Sequence, residues 1–354
     1  MAVAELTFTE LSFRVMASEA RVILVDPAPG AEAYARARLE QLERRWSRFL
    51  PESDISRLNT MPESLVLVSS DTIDLLATMK QAWQVSHGRY DPTMLAAINQ
   101  MGYSRSIDGS GKKSIDGSGK TSPMAGSQTC GCTIADVHIN AATSAVLMPA
   151  GVGLDPGGIG KGLAADIVVT ELLAAGTGGA LVCVGGDLAA AGTPPTAGGW
   201  QVNVEDPADS SQELMSMVLD AGGVATSSTL SRSWLQDGSR RHHVIDPSTH
   251  ACAATDLAAV TVIARAGWEA EVHATAALLC GSQHVLDYLY GHCLDGVATT
   301  LDGATCMSPA LQGADMTASP ALDGATCMGP ALQGAGVTMS PALQGAGVTE
   351  GSAP

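Results

Sequence analysis

Glu271 and Thr275 stand four residues apart in a segment with helical spacing. On a helix such residues share a face, so a carboxylate and a hydroxyl present hard oxygen donors of the kind magnesium accepts. A helix carrying one solvated Glu has the same pattern. His273, between them, is a poor magnesium ligand and reads as structural. Upstream, Asp155-Pro156-Gly157-Gly158-Ile159-Gly160-Lys161-Gly162 crowds glycines ahead of an apolar helix. Glycines allow close backbone approach, and a helix N-terminus offers unpaired N–H groups and a positive dipole end, which suits a pyrophosphate. The segment is not a P-loop, because Asp155 stands where the first Gly belongs and Gly162 where Ser or Thr would meet magnesium. It also fails the G-x-G-x-x-G spacing, and a tight strand-to-helix turn remains the other reading. His242-His243-Val244-Ile245-Asp246-Pro247 follows a basic turn. Tandem His on a strand face opposite ways, so one can enter a site, where a neutral imidazole can take a hydroxyl's proton. Asp246 could orient that imidazole or hold the turn before Pro247.

These groups need elements to hold them. Residues 11–16 and 21–25 read as two strands, the second ended by Asp26-Pro27-Ala28-Pro29-Gly30. Ala35, Leu39, Leu42, Trp46 and Phe49 form one apolar stripe on a helix over residues 31–49. A second helix is expected over 71–87, with Ser70 or Asp71 as its cap and Gly88 at its close. Further helices are expected over 161–175, closed by Gly176, and over 268–280, with strands at 180–184, 200–204 and 258–264. Many short strands joined by hairpin-length turns favour an α+β fold of mixed, largely antiparallel sheets with packed helices over a doubly wound parallel sheet.

Two regions break this pattern. Ser106-Ile107-Asp108-Gly109-Ser110-Gly111-Lys112 is nearly repeated from Ser114, and residues 104–133 read as a flexible Gly/Ser-rich insertion that cannot bury enough apolar area to order itself. From Leu301 the chain repeats: Leu301-Asp302-Gly303-Ala304-Thr305-Cys306-Met307 recurs unchanged at Leu322, with frequent Pro and Gly. The expected division is one domain over 1–300 and a low-complexity, disordered tail over 301–354.

The 354 residues suffice for one large domain or two ordinary ones, and 45% apolar content allows a sizeable core. A net charge of −17 disfavours nucleic acid and anionic membranes, so a phosphate-bearing ligand needs a local device. No run approaches the ~18 apolar residues of a membrane span. The N-terminus shows neither a signal-peptide pattern nor a Cys for lipid attachment, which gives a cytoplasmic expectation. Cys183 and Cys280 read as small core residues, and Cys130-Gly131-Cys132 has the wrong spacing for a zinc knuckle.

Six segments, taken in order, resemble the FAD:protein FMN transferases, the ApbE-like family. They are Ser53-Asp54-Ile55-Ser56-Arg57-Leu58-Asn59, Tyr90-Asp91-Pro92-Thr93, the glycine segment with Asp166 after it, Gly185-Gly186-Asp187, the His-His-Val-Ile-Asp-Pro stretch, and Glu271-Val272-His273-Ala274-Thr275. The resemblance covers roughly residues 11–290. It implies a duplicated T-fold-type architecture. It also implies magnesium-dependent transfer of FMN from FAD to a Thr or Ser of an acceptor protein, with release of AMP. The metal would fall to Glu271, Thr275 and the carbonyl of Gly160. FAD would be bound by Met16, Asn59, Asp91, Asp155, Gly157, Gly158, Lys161, Asp166, Gly185, Gly186, Asp187, Thr226, Ser227, Ser228 and Arg232, and the chemistry would be carried by His243 and Asp246. The chain departs from the family pattern at Glu271 (usually Asp), Tyr90 (usually Phe), Ala17 and Ser228 (usually Gly) and His250. An FAD pyrophosphatase and a non-catalytic FAD-binding protein are the alternatives. Acceptors of the family carry Asp-x-x-(Ser/Thr)-Gly-Ala-(Thr/Ser). Compressed versions of that motif in the repeats raise self-modification at Thr305 or Thr326 as an expectation.

Overall fold

The computed structural model describes residues 6–102, 131–236, 239–312 and 315–316. Its centre is an eight-stranded sheet in the order Phe8–Val15, Ser18–Val25, Gly179–Val184, Asp187–Gly192, Gly222–Ser228, Leu257–Ala264, Asp295–Thr300 and Thr305–Met307. Every neighbouring pair is antiparallel. The period of two is plain in the burial. Ala180, Val182 and Val184 join the larger core, while Leu181, Leu188 and Ala190 join a second core on the opposite face.

Helices cover the first face. They are α1 (Ala31–Trp46), α2 (Asp54–Thr60), α3 (Ser70–Val85), α4 (Leu95–Gln100), α5 (Gly160–Ala174), α6 (Gly267–Leu278) and α7 (Val285–Gly291). Helices α5 and α6 lie against the central strands and against each other. The hairpin of Trp200–Glu205 and Glu213–Leu219 closes the other face, with Trp200 only 1% exposed at its root. The expected α1 stripe is buried through Trp46, but Ser47 is extended, so the helix ends before Phe49. Ser69 rather than Ser70 or Asp71 caps α3, its hydroxyl accepting from Thr72 N–H. Asp71 instead receives both terminal nitrogens of Arg38, which also reaches Glu171, so one guanidinium ties α1, α3 and α5 together.

The main sheet continues past the boundary expected at residue 300. Thr305–Met307 pairs with Asp295–Thr300, and Leu311 packs in the core around Trp200. The first copy of the repeat is therefore structural. Most of the expected insertion, residues 103–130, and the repeats from 317 onward lie outside the described residues.

Candidate active site

A cleft of about 480 Å³ opens where the glycine segment, α5, α6 and the ends of the central strands meet. The segment enters from Leu154, which is held on both sides by Asn59: its N–H donates to Asn59 Oδ1 at 2.7 Å and its carbonyl accepts from Nδ2 at 2.9 Å. Asp155 then accepts Gly157 N–H at 2.9 Å and pairs with Arg48 at 3.1 Å. Gly158 follows at φ 80°, the left-handed region that favours glycine. The glycine segment is thus a tight turn into α5 on the cleft wall.

Across the cleft Val184 pairs with Asp187, so Gly185 and Gly186 form a two-residue turn at φ 62° and 95°. That turn delivers Asp187, 3% exposed, to the Lys161 ammonium, which also lies 3.3 Å from Glu271 Oε1. Burial works against the charge on Lys161, but Asp187 and Glu271 more than offset it and hold its pKa above the usual value. Burial pushes the Glu271 carboxyl up, with Lys161 opposing. Thr275, one turn along α6, meets Ser227 Oγ at 2.9 Å, so the helix and the strand Gly222–Ser228 face the same space.

Helices α5 and α6 are fastened end to end. Glu271 of α6 accepts Gly162 N–H at 2.7 Å in the first turn of α5. Asp166 of α5 accepts Gly267 and Trp268 N–H at 2.7 and 2.9 Å in the first turn of α6. Each carboxylate caps the other helix and meets its positive dipole end. The backbones touch where this happens, since a methyl on Gly162 would come within 2.3 Å of the Gly267 carbonyl oxygen.

His243 lines the cleft while His242 does not, but the strand ends at His242, so His243 reaches the cleft from the bend that follows rather than by strand alternation. Burial, and then the positive charges of Arg232 and Lys161, lower the His243 pKa to about 3. The ring is therefore neutral near pH 7.

Of the residues expected at the site, Met16, Asp91, Asp155, Gly157, Gly158, Gly160, Lys161, Gly185, Asp187, Thr226, Ser227, Ser228, Arg232, His243, Glu271 and Thr275 line one cleft. Four more of the expected residues make contacts within the fold beside the cleft. Asn59 holds Leu154, Asp166 caps α6, and Gly186 completes the turn behind Asp187. Asp246 accepts the Ser248 N–H at 2.8 Å and hydroxyl at 2.6 Å, and so serves the turn rather than an imidazole. Thr305 is also corrected as a modification site: it sits 3% exposed in a strand, closed to any acceptor role. Thr326 lies outside the described residues. Sequence reasoning placed Trp46 and Phe49 only on an apolar helix stripe and did not single out Glu43, Arg48, Leu50 and Arg89, yet all six form part of the cleft wall.

The fold and this wall define an antiparallel α+β protein whose cleft brings together aromatic side chains, glycine backbone, carboxylates and an ammonium. Comparison with known proteins places it more narrowly. Residues 9–298 match the model of the ApbE family, and the chain belongs to that family. An FAD:protein FMN transferase of Treponema pallidum is 29% identical over 292 residues, spanning 75% of this chain and 77% of that protein. One from Klebsiella pneumoniae is 26% identical, over 78% of this chain and 80% of its own length. The fold is shared with the ApbE protein of Thermotoga maritima (TM-score 0.74, 21% identity, 87% of this chain and 99% of that one). It is shared also with apo flavinyl transferase ApbE of Pseudomonas stutzeri (TM-score 0.70, 24% identity, 88% and 98%). Among the described residues, no helix is long and apolar enough to cross a membrane.

Proposed function

We propose that this chain is an FAD:protein FMN transferase that moves FMN from FAD to a Thr or Ser hydroxyl of an acceptor protein and releases AMP. The observation that carries this reading is the convergence of the glycine segment, Lys161 and neutral His243 on one cleft. The side-chain-free backbone at Gly158 faces the diphosphate, and Trp46 and Phe49 supply apolar wall for the isoalloxazine. The acceptor hydroxyl oxygen attacks the FMN-side phosphorus. Its proton passes to the His243 imidazole, and the bond to the bridging oxygen breaks as AMP leaves. Lys161 offsets negative charge gathering on the phosphates.

The oxygen donors suit magnesium. No cluster of three or more His, Cys, Asp or Glu arranged for a metal occurs among the described residues. Glu271, 3% exposed, lines the cleft with Thr275 and Gly160, and Asp187, also 3% exposed, shares the Lys161 ammonium with it. Magnesium characteristically binds through one or two carboxylates, retained waters and substrate phosphates. When bound there it would polarise the phosphoanhydride. The Lys161 ammonium already shows that this corner holds positive charge between Asp187 and Glu271.

The test is intact mass of a candidate acceptor bearing the Asp-x-x-(Ser/Thr)-Gly-Ala-(Thr/Ser) motif, incubated with this protein and FAD in magnesium or in EDTA. A magnesium-dependent gain of one FMN on the acceptor, with AMP released, is expected. Free FMN and AMP without labelled acceptor would replace the transferase with a pyrophosphatase, and FAD left intact would replace it with a binding protein. The chain's cytoplasmic location is part of the same proposal, tested by fractionation of cells expressing it.

A further inference from the structure

Tyr90 lines the cleft and is 3% exposed, and its hydroxyl is one of the buried polar groups with no hydrogen-bond partner among the described residues. Folded proteins satisfy nearly all such groups, and one left unpaired costs free energy unless something else completes it. The residue is firmly placed. Its backbone N–H donates to Ser86 Oγ at 3.1 Å, and its ring edge lies against Gly158, where an added methyl would come within 3.1 Å of Cε2. The Thr275 hydroxyl flanks the same point at 3.4 Å, so the tyrosine stands at the glycine-segment end of the cleft rather than behind it. Burial first, then the negative charges of Glu271, Asp155 and Asp91, push the phenol pKa well above 10, so the group keeps its proton and can donate.

We propose that Tyr90 is a substrate-contacting residue whose phenol donates a hydrogen bond to a phosphate oxygen of the bound flavin dinucleotide. The inference rests on the flavin-transfer reading above. An acceptor oxygen brought in with a ligand completes this donor, and the Lys161 ammonium lining the same cleft favours a phosphate oxygen there.

The experiment compares wild-type protein with Tyr90→Phe, which removes one oxygen and leaves the ring against Gly158. Calorimetry measures Kd for FAD and, separately, for riboflavin, which lacks phosphate; thermal melting is followed without ligand. The expected result is a rise in Kd for FAD of about ten- to a hundredfold, as for a hydrogen bond to a charged acceptor. Riboflavin binding should be unchanged, and the ligand-free melting temperature unchanged or higher. Equal FAD affinity in the variant would overturn the proposal. So would an equal loss for riboflavin, which would move the contact to the ring, or a lower ligand-free melting temperature, which would give the hydroxyl a partner inside the fold. Wild-type protein that binds neither ligand would instead overturn the flavin reading itself, and this proposal with it.

Discussion

In the proposed transfer, the chemistry at the residue scale turns on His243. A base with a pKa of about 3 accepts a proton poorly. Two of the causes, however, are the positive charges of Arg232 and Lys161, and these are the charges that an incoming diphosphate neutralises. Binding of FAD is therefore expected to raise the His243 pKa. Sign and window follow directly: the complex binds protons more readily than the free protein, so FAD affinity should increase as pH falls through the raised value. NMR titration of the ring nitrogens checks this. The free protein should show His243 neutral down to about pH 4, and the FAD complex should titrate at a higher pH; a free ring titrating near 6.5 would contradict its burial. His243→Ala should slow transfer by about 10²- to 10⁴-fold, the usual worth of a general base, with little change in FAD affinity.

Among the elements, the mutual capping of α5 and α6 matters most, because Glu271 and Thr275 both ride on α6. Asp166→Ala leaves two N–H groups of α6 without acceptors. A loss of about 2 kcal/mol of stability is expected, read as a fall in the urea midpoint at constant m. The magnesium binding proposed for α6 should weaken as well, since the helix loses its anchor. Unchanged stability would show the clasp to be incidental. This is also where legibility in the sequence ends. That Glu271 and Thr275 share a face was readable from their i, i+4 spacing once a helix is granted, but their place at a site came only from the family resemblance. Asp166 was not, because its direction depends on how closely two helices cross at Gly162 and Gly267, a non-local fact. Trp46 shows the same limit. An apolar stripe on α1 has one pattern whether it packs on core or on a cleft wall. The departure at Ala17 is likewise absorbed locally: Met16 and Ala17 make the turn into Ser18–Val25 at φ 52° and 55°, steadied by Met16 N–H donating to Glu43 at 2.9 Å.

For the whole molecule, the sheet settles what composition could not. Leu301–Met307 and its copy at Leu322–Met328 are the same seven residues, so no local property distinguishes a structural strand from a low-complexity repeat. What distinguishes the first copy is its place. It follows Asp295–Thr300 by a short turn, in which Ala304 N–H donates to Thr300 Oγ1 at 2.9 Å, and so reaches the open edge of the sheet. Leu311, 8% exposed, then seals the core around Trp200, and Asp315–Met316 pairs with the strand Glu213–Leu219. A chain ended after Thr300 should therefore lose about 3 kcal/mol, from a buried Leu and an uncovered sheet edge, and should associate through that edge. A chain ended after Met316 keeps all three contacts and should unfold in urea at the midpoint of the full protein. The two truncations differ by sixteen residues (316 against 300) that composition alone assigned to the tail. Equal midpoints for both would remove the strand from the cooperative unit, whereas a drop confined to the shorter chain would place the end of the folded domain inside the first repeat.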